Sequence, residues 1–466
     1  MSTYADRLAD FCVTLTAESL PKPVLHQAEL SAMDFVGVVL AGGVTPVAEF
    51  VTGYARAQGG AGEATLFGHH DRVPAPLAGL VNGARAHSIE LDDHEAHMRS
   101  KVHSGAVVFP AAWAAAERRG AVTGLEFLAA VVIGYEVIGR LSAATSYPDF
   151  LGKKKGFHTT PLFGSFASAA TAGRLLGLTS EQLSNAFGIC GSMASGLQET
   201  VAAGAMVKPF HAGWAAHNGL IAAQLASRGM TGPRSIFEGR KGFYRAFCGE
   251  GEYDLSVIDR DFGAEYDISL TMYKPYACGG GIHPALTAID DLRGRHDIDA
   301  DNVERVVVRT SQTVVDMFVT PREAKYSPVS GPQAQHSLPY AAATLLVDGA
   351  ALLDQFTNEA VARPHVRALA QRIDVEVDPG IHSDDPEDEP ASVTILLADG
   401  RELTSSVRGG RGSLAVPMSD AELIDKYRRL ATPYLGEATA TVQERMLNLT
   451  TAPNVADVPG SLVRHG

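Results

Sequence analysis

Basic residues are in short supply: 39 lysines and arginines stand against 53 aspartates and glutamates, a formal charge of −14. A surface of that sign does not suit nucleic acid or an anionic membrane, because binding phosphate needs a basic face. A small anionic substrate stays within reach, since it needs only local cations. Cysteine is scarce as well. Cys12, Cys190, Cys248 and Cys278 are scattered with no C-x-x-C pair, which speaks against zinc or iron–sulfur ligation and for reduced thiols in a cytoplasmic protein. No uninterrupted apolar run is long enough to span a bilayer. The opening MSTYADRLADFCVTL sets Asp6, Arg7 and Asp10 in an amphipathic pattern and is not expected to be a signal peptide. Aromatic residues make up only 7% of the chain while Ala and Gly abound, which suits close-packed helices.

A chain of 466 residues exceeds what one hydrophobic core usually serves, so two domains are expected. Up to about residue 265 the periodicity is helical, with apolar residues at three and four spacings over 28–40, 106–118, 125–144, 161–176, 181–197 and 209–227. No β-alternation interrupts this stretch. Thr179 and Gln182 form a capping box, and Gly229 is a helix stop. Beyond Tyr266 come β-branched runs at 307–310, 373–377 and 392–397, the last turning through Ala398-Asp399-Gly400 into 402–407 as a hairpin. Helices are expected at 284–293 and 337–346, and an acidic surface loop at 383–390. Helix returns at 421–430, behind a capping box of Ser419 and Glu422, and at 439–449. The fold class is therefore mainly α: a large helical domain built from residues 1–267 and 411–466, with a smaller α+β domain inserted at 268–410.

Chemistry concentrates in AHSIELDDHEAHMRSKVHSGAVVFPAAWAAAE, residues 86–117. Glu90, Asp92, Asp93 and Glu95 alternate with His87, His94, His97 and His103. Carboxylates and imidazoles packed together shift one another's proton affinity, which serves general acid–base work. The plain alternative is a solvated polar loop laced with ion pairs. His94-Glu95-Ala96-His97 is one residue short of the H-E-x-x-H zinc helix. A metal site from Asp92, Asp93, His94 and His97 therefore ranks below metal-free acid–base chemistry.

Several further polar residues stand at helix starts. His103 precedes Ser104, a natural N-cap; His158 precedes Thr159-Thr160-Pro161; Lys208 precedes Pro209; and His283 precedes Pro284. A helix N-terminus offers unpaired N–H groups and partial positive charge, so an added Lys or His makes an anion receptor. Lys274 and Tyr276 sit in YKPYACGGG, where Pro275 keeps Lys274 extended and three glycines allow close backbone approach. No strand precedes those glycines, so they are no nucleotide loop. Lys153, Lys154 and Lys155 form a basic loop ahead of His158 that reads as a solvated charge run.

LDDHEAHMRSKVHSG, GFHTTPLFGSFASAATAG, MVKPFHAGWAAHNG, KPYACGGGIHPALTAI and HSLPYAAATLLVDG resemble the MmgE/PrpD family, which includes 2-methylcitrate dehydratase, cis-aconitate decarboxylase and iminodisuccinate epimerase. The resemblance covers nearly the whole chain. It implies a homodimer, a helical domain, a lid domain, an active site between them and no obligatory metal or organic cofactor. Its catalytic set falls here on Asp93 (or Asp92), His103, His158, Lys208 and Lys274, with Asp92, His94, Tyr276 and His283 as substrate-binding candidates. Two departures from the family pattern, Asp92-Asp93-His94 and His103-Ser104-Gly105, let the aspartate assignment slip toward Glu90.

The family chemistries all pass through a carbanion-like state beside a carboxylate, so cations must hold the substrate and one group must move a proton. The expected function is a lyase on a small di- or tricarboxylate, by dehydration or decarboxylation. Lys208 and Lys274 clamp carboxylates, His103 and His158 act as base and acid, and Asp93 orients an imidazole. The alternatives are an epimerase of an amino- or imino-dicarboxylate, a metal-dependent hydrolase and a binding protein without catalysis.

Overall fold

The computed structural model describes residues 2–97, 100–146, 150–381 and 390–463. All but the last residue of the acidic 383–390 segment, and the side chain of His97, lie outside the described set. Helix dominates and the sheets are small. The chain divides into two compact units, one of Met1–Ser88, Asp92–Thr271 and Ser419–Gly466, the other of Ile89–Leu91 and Met272–Met418.

In the first unit the helix Val207–Ser227 packs against Thr159–Leu175 and Ala75–Ala86. Small residues allow this. A Cβ added at Gly83 would sit 2.7 Å from the Gly213 Cα, so the two helices meet backbone to backbone. Thr159–Leu175 is buried at every residue but Arg174. The helix Lys22–Ala41 lies in a stretch, Lys22–Val44, apolar and long enough to cross a membrane by composition, but 83% of its apolar window is buried. Glu29 and Asp34 interrupt it, and Asp34 forms a buried ion pair with Lys426 on the helix Asp420–Leu435, at 2.7 Å. Both capping boxes expected from sequence form, at Thr179 and at Ser419.

The periodicity needs correction in places. The helix expected over 181–197 ends at Cys190, with Gly191 as its cap. Helices that went unread include Pro46–Gln58 and Ala75–Ala86. The stretch expected to be free of strands contains a hairpin in the acid–histidine segment: His94–His97 pairs antiparallel with Ser100–Val102, Glu95 opposite Val102.

The second unit carries a four-stranded sheet in the order Ile373–Val377, Val303–Thr310, Ala391–Leu397, Glu402–Val407. The first two strands are parallel and the remaining pairs antiparallel. The hairpin closes where expected: Gly400 takes φ +85°, and the Leu397 N–H donates to the Arg401 carbonyl at 2.9 Å. The helices His283–Arg295 and Leu338–Asp348 pack on the sheet.

Candidate active site

Packing in the first unit gathers helix ends. His87 caps the C-terminus of Ala75–Ala86, and His158 is the N-cap residue of Thr159–Leu175. His103 stands two residues ahead of Gly105–Arg119. Its N–H donates to the Thr160 hydroxyl at 3.1 Å, which ties two of these helix starts together. Lys208 and His211 occupy the first turn of Val207–Ser227, and residues three apart on a helix share a face. The imidazoles come into contact. The His87 ring centroid is 4.6 Å from that of His103 and 5.7 Å from that of His158; His211 is 5.2 Å from His158, and His94 5.8 Å from His103.

Asp92 holds this group together. One of its oxygens, Oδ2, takes both the His87 Nδ1 at 2.6 Å and the His103 Nδ1 at 2.9 Å. Burial pushes its carboxyl up, but the two imidazoles outweigh that and hold it well below the usual carboxylate range. Asp92 is therefore an anion at any working pH, able to fix the tautomer of a neighbouring ring and support its charged form. Its Oδ1, like the His87 Nε2, is buried without a hydrogen-bond partner among the described residues.

Asp93 does not orient an imidazole with its side chain, which corrects the expectation from sequence. The Asp93 Oδ1 accepts the Gly105 N–H at 2.9 Å and its Oδ2 accepts the Tyr135 hydroxyl at 2.5 Å. Only its main-chain oxygen reaches the His103 Nδ1, at 3.1 Å. Ser104 holds the N-cap position, as expected, but its side chain makes no capping bond; the acceptor for the Gly105 N–H comes from Asp93 instead. Any side chain at Gly105 would run into the Asp93 carboxylate.

Burial, with the charges of Asp34 and Asp92, pushes the Asp93 carboxyl up to about 7, against the Tyr135 and Gly105 donors. Above ~4 the unfolded chain has released this proton while the folded chain keeps it. That contribution to stability is full below about pH 4 and is lost as pH rises to about 7. Denaturant titrations of wild type and Asp93→Asn between pH 5 and pH 8 should show the wild type losing ground, by at most ~1.4 kcal/mol per pH unit. A difference independent of pH means that Asp93 is ionised throughout.

His158 and His211 form a second pair, Nδ1 to Nδ1, at 3.0 Å. Burial lowers the His158 proton affinity well below the usual imidazole value, helped by His87, Lys208, His211 and His103. Burial likewise takes His211 down to about 4, with His87 and Lys208 adding to it. Both rings are neutral at pH 7. Lys208 is half-buried and close enough for its charge to act on both. It lies inside the helix rather than before it, because Val207–Ser227 begins two residues ahead of Pro209. Similarly, Thr159 and Thr160 are helical and the N-cap is His158 itself, with no side-chain capping bond.

The other candidates belong to the second unit. Lys274 is buried, its Nζ 3.0 Å from the Glu90 Oε2, and His336 approaches the other Glu90 oxygen at 3.7 Å. Glu90 takes φ +55°, the left-handed region that side chains disfavour. The aspartate role does not slip to Glu90, whose carboxylate is committed to Lys274. Tyr276 donates to the Asp290 Oδ2 at 2.6 Å, and its ring meets His283 edge-on at 5.4 Å. His283 opens its helix and contacts the Cys278 carbonyl through Nε2 at 3.2 Å. These contacts give both a packing role within their own unit. A Cβ at Gly279 would strike the Phe318 ring, so at least one of the three glycines serves packing.

His87, Asp92 and His103 are also the residues that could hold a metal, their nitrogen and oxygen atoms lying within 4.8 Å of one another. With both Nδ1 atoms at hydrogen-bond distance from one Asp92 oxygen, the arrangement shown is a carboxylate between two imidazoles. Of the set Asp92, Asp93, His94 and His97, the Asp93 oxygens are taken by Gly105 and Tyr135, and the His97 side chain lies outside the described residues.

The structure thus brings together Asp92, His94, His103 and His158, with the charge of Lys208 reaching His158 and His211. It also adds His87, read in sequence only as one histidine of the 86–117 stretch, and His211, which the sequence reading did not single out. One signal for His211 was available, its spacing of three from Lys208 on one helix.

Residues 6–256 match the MmgE/PrpD N-terminal domain and residues 276–450 the MmgE/PrpD C-terminal domain. The cis-aconitate decarboxylase-like protein oryM of Aspergillus oryzae is 29% identical, over 97% of this chain and 95% of its own. A cis-aconitate decarboxylase of Aspergillus terreus is 27% identical over 98% and 95%, and one of Mus musculus 28% identical over 96% and 92%. With both halves matched in order, the chain belongs to the MmgE/PrpD family.

Proposed function

We propose that the protein is a carboxy-lyase that removes carbon dioxide from a small unsaturated polycarboxylic acid of the cis-aconitate type, by general acid–base chemistry. The observation that carries this reading is the contact group of Asp92, His87, His103 and His158, with the charge of Lys208 reaching His158. The names of relatives similar over nearly their whole length support it.

In such a reaction the bond to the departing carboxylate breaks, and its electron pair stays on carbon, conjugated with a remaining carboxylate. Lys208 and the helix N-termini at His158 and His103 bind the remaining carboxylates. Asp92 lets the His103 ring carry positive charge beside the developing carbanion. His158, neutral at working pH, hands a proton to the carbon, which is a far stronger base than imidazole. Lys274 is already matched by Glu90 within its own unit, so its charge is partly compensated before substrate arrives.

The test is incubation with cis-aconitate, following released carbon dioxide and the product by proton NMR in deuterated water. Decarboxylation is expected to place one deuterium on the product. Addition of water across the double bond to give a hydroxy acid, without carbon dioxide, would mean a dehydratase running in reverse, and deuterium wash-in without net product an epimerase; either outcome sinks the proposal. Lys208→Ala should raise KM at least tenfold and lower kcat, with the melting temperature within a few degrees of wild type.

A further inference from the structure

The pair formed by His158 and His211 has a property that neither ring has alone. Two imidazole nitrogens 3.0 Å apart make a hydrogen bond only when one carries a proton and the other a lone pair. With both rings neutral, one proton is shared between the two Nδ1 atoms, and the tautomers are mutually exclusive. A proton on the His158 Nδ1 leaves its Nε2 bare, which makes that nitrogen a base. A proton on the His211 Nδ1 requires His158 to carry its own on Nε2, which makes that nitrogen an acid.

The surroundings keep this arrangement in place. The His158 N–H donates to the Gly196 carbonyl at 3.0 Å. A Cβ at Gly196 would lie 3.5 Å from the His211 ring and would crowd Pro161. Both histidines are buried, at 5% and 7% exposure. The charged and titratable groups that face them are His87, His103 and Lys208. Each of these can carry positive charge, so they disfavour an imidazolium on the pair and favour the neutral shared-proton form.

We infer that His211 is the relay partner of His158, and that the side on which their shared proton lies decides whether the His158 Nε2 accepts or donates. The catalytic half rests on the function proposed above. In the donating direction the His158 Nε2–H passes to the substrate carbon and the His211 Nδ1–H moves to the His158 Nδ1. The bare Nε2 of His211 then takes a proton from water. The substrate carbanion gains one proton, the solvent loses one, and both rings end neutral in the opposite tautomers. Return to the starting state carries the same protons the other way, through solvent. His211 never touches the reacting carbon in this scheme; it is a positioning and relay residue.

His211→Asn is the informative variant, because the amide keeps one hydrogen bond to the His158 Nδ1 but cannot pass a proton through. In wild type the nitrogen-15 spectrum at pH 7 should show one of the two Nδ1 atoms protonated and the other bare. Turnover measured across mixtures of light and heavy water should give a curved proton inventory, from two protons in flight. In His211→Asn the inventory should become linear, with kcat lower by about 10²-fold and KM within a few fold. A merely structural role would lower activity without changing the inventory's shape. Matching Nδ1 states in the two rings, or a straight inventory in wild type, overturns the inference. Should no polycarboxylic acid turn over, the function proposal falls by itself, and the nitrogen spectrum still decides whether the pair shares its proton.

Discussion

Asp92→Asn is expected to lower kcat by about 10³–10⁴-fold, the range seen when the carboxylate behind a catalytic imidazole is neutralised. Asp92 is the carboxylate at 2.6 and 2.9 Å from the His87 and His103 Nδ1 atoms. An amide oxygen in the place of Oδ2 can still accept from both rings, so packing survives while the negative charge does not. His103 then loses the partner that stabilises its charged form and fixes which nitrogen carries the proton. Asp93→Asn should do the reverse. It loses one of two acceptors, for the Gly105 N–H and the Tyr135 hydroxyl. A buried donor left unsatisfied costs about 1–3 kcal/mol, so stability falls while kcat stays within about tenfold. Steady-state kinetics and thermal melts on the two variants decide the matter. A large kcat loss in Asp93→Asn with an active Asp92→Asn would invert the assignment. His103→Ala should follow Asp92→Asn in kcat, with a melting temperature near that of wild type.

The choice between Asp92 and Asp93 shows how far the sequence carried the site. Residue type and spacing pointed to the 86–117 stretch, where the structure sets Asp92 against His87 and His103, and the helix starts drew attention to His103, His158 and Lys208. Which of two adjacent aspartates meets the imidazoles depends on distant partners: the Asp93 carboxylate is taken by Tyr135, 42 residues away. The role of His87 within that stretch, and His211 altogether, were out of reach for the same reason. Their importance lies in ring contacts across helices, and no local pattern encodes a contact between residues 158 and 211. What the sequence offered was an imidazole near the needed cation, not its partner.

The fold divides along similar lines. Ile373–Val377 and Glu402–Val407 were read end to end, because alternation survives when one side stays polar, whereas Val303–Thr310 was read only from residue 307. Ala75–Ala86 left no such trace. It is buried on every side from Ala78 onward, so it lacks the polar stripe that reveals a helix. The hairpin at His94–His97 was hidden by a different cause. Its inward residue Glu95 is fully buried, and burial, together with Asp267, pushes its carboxyl far up. A neutral buried glutamate stands where an apolar residue would have signalled a strand.

Lys426→Met is expected to cost more stability than any of the active-site substitutions, about 3–5 kcal/mol. The Lys426 ammonium and the Asp34 carboxylate are each only 3% exposed and lie 2.7 Å apart. Taking charges out of water costs several kcal/mol per ion, and their attraction offsets this only while both remain. Burial pushes the Asp34 carboxyl up even with Lys426 beside it; without the lysine it must either stay charged and uncompensated or hold a proton. The loss should therefore shrink toward pH 4, where protonation relieves the buried charge, and grow toward pH 8. The double variant Asp34→Leu with Lys426→Met removes both charges and should recover most of the stability. Denaturant unfolding of the two singles and the double gives the coupling directly. A double variant no more stable than Lys426→Met would show that the two side chains matter for packing rather than charge. The same cycle reaches the active site, because the Asp34 charge is among those that raise Asp93. Neutralising Asp34 should lower the pH at which Asp93 releases its proton, moving the wild-type stability slope between pH 5 and pH 8 to more acidic values.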